Sequence, residues 1–246
     1  MRKVILFSII FYCATGLDLP PEIPKCNRSD PKLNECIMSA YNASLPILAK
    51  GIPQFKVGSI VPIKIATLSI PGGNGPVKVE QHYEDVEIYN AQLAFAESAE
   101  ATITDEEFKI VLHVFAEEMR MEAHYNVTGS VLFLPVTGEG ECTLKLIKAK
   151  MVYDITGEIY ETNGEKYVEI KTFKITLNPE KVEVDFKNLF NGDVKLGAEM
   201  NRLLNENWEE IFHDVKHGFE EATGQADKSI VNRIFSKVPY RNLFLA

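Results

Sequence analysis

Two histidines four residues apart, His213 and His217, are the residues in this sequence whose spacing comes nearest to a catalytic centre. His213-Asp214-Val215-Lys216-His217 resembles the helical zinc motif His-Glu-x-x-His, with Asp where the glutamate base belongs. On a helical wheel with Trp208 at zero and about 100° per residue, both histidines fall at roughly 140° to 180°. Ile211, Phe212, Val215 and Phe219 gather within about 60° of Trp208 on the same wheel. The histidines therefore point away from the apolar side, and a solvated helix face explains them without a metal. Acyl transfer fares no better, because Ser130 follows Gly129 but Gly-x-Ser-x-Gly is absent and the stretch is strand-like. The Gly72 to Gly75 turn lacks both Gly-Lys-Ser/Thr and a following helix, so it is no phosphate loop. Carboxylates are numerous but scattered and read as surface charge. No catalytic residue, metal site or cofactor is expected.

The element that carries those histidines is more informative than they are. From Val194 to Ala222 the residues Leu196, Met200, Leu203, Leu204, Trp208, Ile211, Phe212, Val215 and Phe219 recur every three or four positions, which predicts one amphipathic helix with a wide apolar stripe. Asn191 or Asp193 can cap its start. At 1.5 Å per residue the helix would be roughly 40 Å long. Beyond Gly224, a predicted break, helical spacing resumes at Ala226, Ile230, Val231, Ile234 and Phe235, so either the long helix continues with a bend or a second helix packs back. Something must cover the stripe.

From Val57 to about Phe190 the apolar period changes to two, as in Val61-Ile63-Ile65, Ile110-Leu112-Val114 and Val182-Val184-Phe186. Turn signals at residues 71–76, at Gly138-Glu139-Gly140 and at Asn163-Gly164 separate the runs. No helical segment intervenes, so the strands form an antiparallel meander rather than βαβ units. Before them, Ser29-Asp30-Pro31 starts a short helix that Pro46 can kink and Gly51 can end.

The first residues set the compartment. Arg2 and Lys3, the apolar run from Val4 to Tyr12 and small residues at Ala14-Thr15-Gly16 read as a secretory signal peptide over residues 1–16. The run is too short to span a bilayer, and no later run approaches the roughly 20 apolar residues a span needs. Loss of Arg2 and Lys3 takes 26 basic residues to 24 against 35 acidic, moving the net charge from -9 to about -11. Such a surface disfavours nucleic acid and anionic headgroups. Of four cysteines, Cys13 leaves with the signal. Cys26 and Cys36 form the natural disulfide in an oxidising compartment, worth about 2 to 3 kcal/mol by the chain-entropy estimate. Cys142 remains, read as a buried thiol in preference to a reactive or intermolecular one. Asn27, Asn42 and Asn126 head sequons that permit glycosylation. Residues 17–246 read as one domain, secreted, extracellular and monomeric, without stable membrane insertion.

Four blocks carry a resemblance: residues 19–37 (LPPEIPKCNRSDPKLNECI), 51–57 (GIPQFKV), 125–140 (YNVTGSVLFLPVTGEG) and 188–210 (NLFNGDVKLGAEMNRLLNENWEE). In these blocks the chain resembles the takeout and haemolymph juvenile hormone-binding protein family of insects. Moth hormone-binding proteins carry a second disulfide that this chain lacks, so the resemblance is to the takeout branch. It implies an α+β fold in which a strongly curved antiparallel sheet wraps around a long C-terminal helix, with a short N-terminal helix. It also implies an internal hydrophobic tunnel for a terpenoid, fatty acyl or related lipid.

A guest of 15 to 20 carbons gains about 0.8 kcal/mol per buried CH₂ and gives back roughly 4 to 15 kcal/mol on association, leaving micromolar to nanomolar binding. The lining expected from the helix is Met200, Leu204, Trp208, Ile211, Phe212 and Phe219, and from the sheet Phe95, Val114, Phe133 and Phe173. The competing reading of the same stripe is a closed core. Two further alternatives are an extracellular signalling or interaction glycoprotein acting through its surface, and a lipid esterase.

Overall fold

The structure, a computed structural model, describes residues 17–73, Gly75 and residues 77–246. The expected signal segment lies outside the described residues. In chain order the elements are β1 (Cys26–Asn27), α1 (Leu33–Lys50), β2 (Ile63–Ile70), β3 (Val77–Tyr89), β4 (Phe95–Ile103), β5 (Phe108–Val131), β6 (Leu134–Thr162), β7 (Glu165–Asn178), β8 (Lys181–Phe186), α2 (Val194–Glu206), α3 (Trp208–Phe235), α4 (Tyr240–Leu243) and β9 (Phe244–Leu245). Strands β2 to β8 make one antiparallel sheet in the order β2-β3-β5-β6-β7, with β4 also on β5 and β8 also on β6.

The central hairpin organises the molecule. β5 has 24 residues and β6 has 29. Laid straight, they would reach roughly 80 and 95 Å, whereas a compact domain of this size is roughly 45 Å across. The hairpin must therefore bend, and its flanking strands change where it does. Toward its tip it is bordered by β3 on one side and β8 on the other. Toward its open end β4 and β7 take those places. Between the halves the ladder skips the position of Lys148, which takes a left-handed φ of 47°.

The hairpin tip falls at Leu132-Phe133, both with positive φ (47° and 69°), and not at the expected Gly138-Glu139-Gly140. Those glycines lie inside β6 for a different reason. A Cβ on Gly138 would stand 2.9 Å from the Leu189 backbone, and one on Gly140 would stand 2.6 Å from the Lys187 carbonyl oxygen. They admit the returning chain rather than turn it. Asn163-Gly164 does form the predicted two-residue turn, with φ of 53° and 77°.

The single C-terminal helix expected over Val194 to Ala222 is two helices. Asp193 caps α2 by accepting from the Lys195 and Leu196 amides. The break comes at Asn207 (φ -111°), whose carboxamide donates to the Leu203 carbonyl at 2.8 Å and so competes with the helix ladder. α3 then runs 28 residues and continues through Gly224, the first of the two expected alternatives, with no second helix packing back there among the described residues. A Cβ at Gly224 would sit 2.4 Å from the Phe173 carbonyl oxygen of β7, and one at Gly218 would sit 2.7 Å from Ile70 of β2. Glycine is required there so that the helix can touch both flanks of the sheet.

Helices also bond to the outer edges of β8, β7 and β4. Asn201 and Asn205 of α2 each bond an N–H and a C=O of the outer edge of β8, at Phe186 and Val184, over 2.8–2.9 Å. Asn232 of α3 does the same to Ile170 of β7, at 2.7 and 3.0 Å, and Asn42 of α1 to Ala96 of β4, at 2.7 and 3.2 Å. Each carboxamide offers one donor and one acceptor, as a neighbouring strand residue would. At these positions the edges of β8, β7 and β4 are satisfied without another strand.

Candidate ligand-binding chambers

Two apolar chambers lie end to end along α3, one under each half of the hairpin, and they share no lining residue. The smaller has a volume of about 80 Å³ and sits between α2, the first turns of α3 and the tip half of the sheet. The larger, about 260 Å³, is walled by α1, the open half of the sheet and the last turns of α3. One water needs about 10 to 15 Å³ of such space, so the larger chamber exceeds that by more than an order of magnitude. The boundary falls in one helical turn, since Phe219 lines the smaller and Thr223 the larger. Phe219 also packs on Tyr83 with ring centroids 5.9 Å apart.

Six of the expected lining residues converge. Met200, Leu204, Trp208, Ile211, Phe212 and Phe219 all line the smaller chamber. Phe173 lines the larger. The other three face neither. Val114 is 1 % exposed and packed in the core. Phe95 is half-exposed against Phe115. Phe133, 91 % exposed, stands on the hairpin tip, where its left-handed backbone turns it outward. Alternation locates strands but does not say which face a given residue takes once a two-residue turn shifts.

Sequence reasoning missed most of the larger chamber. Its polar groups are Tyr41 and Ser44 on α1, Tyr153 on β6, and Thr223 and Asp227 on α3. Thr223, Asp227, Ile230 and Ile234 are spaced as one stripe, and a carboxyl within such a stripe was the available signal. Burial raises the Asp227 pKa to about 7. Burial also raises the phenols of Tyr41 and Tyr153, and the Asp227 charge adds to both. Their rings meet edge to face at 6.2 Å. The smaller chamber has one strongly polar side chain, Gln81, which accepts from the Tyr83 hydroxyl at 2.8 Å and whose Nε2 has no partner among the described residues.

The remaining candidates are placed as follows. His213 and His217 are exposed on the outer side of α3. Between them Asp214 turns inward and accepts from the Val77 amide at 2.9 Å. Ser130 sits in the β5 ladder opposite Pro135. Cys26 and Cys36 are bonded, tying the leader to the first turn of α1. Cys142 is a buried free thiol whose pKa burial pushes up to about 12, so it is held protonated and unreactive. Of the sequon asparagines, Asn126 is exposed on β5, Asn27 accepts from the Ser29 amide, and Asn42 is engaged with Ala96. Among the described residues no group of three or more His, Cys, Asp or Glu side chains could hold a metal ion, and no helix is long and apolar enough to cross a membrane.

Comparison with known proteins agrees with this architecture. The model of the family described as "Haemolymph juvenile hormone binding protein (JHBP)" matches residues 5–245. "Circadian clock-controlled protein daywake" of Drosophila melanogaster is 26% identical over 231 residues, covering 92% of this chain and 88% of that protein. A "Putative beta-carotene-binding protein" of Schistocerca gregaria is 20% identical over 225 residues, covering 89% and 86%. The crystal structure of Epiphyas postvittana Takeout 1 superposes with a TM-score of 0.78 at 21% identity, covering 90% of this chain and 99% of that one. Chambers, helix-in-sheet fold and a family match across nearly the whole length lead to one assignment: the chain belongs to the haemolymph juvenile hormone binding protein family.

Proposed function

We propose that this chain is a secreted, monomeric, single-domain carrier that shields a small hydrophobic molecule from water, using residues 17–246 after removal of a signal peptide. The guest is a terpenoid, fatty acyl or related lipid. The observation that carries the reading is the pair of apolar chambers beside α3, the smaller of them walled by residues of the apolar stripe. A mostly apolar cavity of this kind binds apolar guests because their transfer from water is favourable. Binding of this sort requires no catalytic group, and the guest leaves unchanged.

The test is native mass spectrometry of protein secreted from insect cells, followed by solvent extraction. A carrier returns a co-purified lipid unchanged. An esterase would convert it, and a glycoprotein acting only through its surface would carry none. Leu204→Arg places a charge in the smaller chamber, where an unpaired guanidinium is costly. That variant should lose at least tenfold in affinity for a guest seated there; undiminished uptake by folded L204R would take Leu204 out of the site.

A further inference from the structure

Asp227 is the one carboxyl in the wall of the larger chamber, which among the described residues contains no Lys, Arg or His. Tyr41 and Tyr153 line the same chamber, the Tyr153 hydroxyl donating to Met151 Sδ at 3.7 Å. Among the described residues no hydrogen bond reaches the Asp227 carboxyl; the side chain is half-buried in the chamber wall rather than sealed in the core, and loss of bulk solvation raises its pKa. Buried carboxyls normally have a partner, so an unpartnered one facing an apolar cavity leaves a bonding position open to whatever fills that cavity. We propose that Asp227, helped by the hydroxyls of Tyr41 and Tyr153, is the polar anchor of the larger chamber and selects neutral oxygenated lipids, long-chain alcohols or carbonyl compounds, over lipid carboxylates. This rests on the carrier reading above.

The chemistry separates the ligand classes. A lipid hydroxyl donates to the Asp227 carboxyl and accepts from a phenol, and a lipid carbonyl accepts from the carboxyl when it is protonated. A lipid carboxylate would bring a second negative charge beside the first with no cation in the wall, so one of the two must take up a proton before both fit. A lipid ammonium would have to shed its water to pair with an ionised Asp227, and that desolvation offsets the attraction. A neutral head avoids both costs.

The experiment measures dissociation constants of dodecanol, dodecanoate and dodecylamine at pH 8 for the wild-type chain, Asp227→Asn and Asp227→Leu, with folding checked by circular dichroism. Wild type should bind dodecanol roughly tenfold or more tighter than dodecanoate. D227N should shrink that preference several-fold by removing the negative charge, and D227L should weaken dodecanol about five- to tenfold by removing the hydrogen bond. Equal affinity of wild type for alcohol and acid overturns the assignment even without the variants. So does tighter binding of the amine than of the alcohol, or an alcohol-to-acid ratio that both variants leave within twofold. Failure of wild type to bind any probe would instead overturn the carrier reading itself.

Discussion

A carboxyl in an apolar wall carries a cost that depends on pH, and Asp227 makes it measurable. Its folded pKa of about 7 lies above the ordinary 3.8. Between about pH 4 and 7 the folded chain holds a proton that the unfolded chain has released, so stability falls as pH rises through that window. The ceiling is on the order of 4 kcal/mol above pH 7, from about 1.4 kcal/mol per pKa unit. D227N lacks this loss. Its melting temperature relative to wild type should therefore be higher at pH 8 than at pH 4 by several degrees, and a difference that does not vary with pH would show that Asp227 is not held in its neutral form. At this scale the helical lining was legible, because Met200, Leu204, Trp208 and Phe219 must share a face whatever covers them. Asp227 was not, because a single acid among helix residues looks like surface until its stripe is followed past Gly224.

Helices and strands are related here by asparagine side chains. The strands could be read from alternation and Asn163-Gly164 from turn chemistry, but nothing in the spacing of Asn42, Asn201, Asn205 and Asn232 marks them as edge partners. That role depends on how closely each helix approaches its strand, a tertiary fact, as do the glycines at 138, 140, 218 and 224. Asn201→Ala with Asn205→Ala would leave four backbone groups of β8 without protein partners. The double variant should lose about 1 to 3 kcal/mol, net of the water that can replace some of those bonds. Hydrogen exchange at the Val184 and Phe186 amides should accelerate, and sedimentation should show self-association through the bared edge. Protection at those amides equal to wild type would show that the carboxamides do not hold them.

At the scale of the whole molecule, the predicted curved sheet around a C-terminal helix is present, but its interior is divided. The division follows the change of flanking strands along the β5–β6 hairpin, which no local pattern announces. Phe219 stands at the boundary, so Phe219→Ala should join the chambers and move the preferred length in a homologous series of alcohols several carbons upward. An unchanged optimum would exclude that ring as the partition. The far wall of the larger chamber has a different character. Leu19, Ile23 and Cys26 of the leader and Leu243 and Phe244 near the C-terminus contribute to it. β1 and β9 join these segments through only two residue pairs, and the Cys26–Cys36 bond fastens the leader to α1. Parting them unpairs no strand of the main sheet, although the Arg28–Asp105 ion pair and the Tyr240–Thr104 hydrogen bond also hold these segments in place. A mild reductant should speed guest release through this wall and, because the disulfide contributes about 2 to 3 kcal/mol, also lower the melting temperature by several degrees; release unaffected by reduction would exclude this wall as the way out.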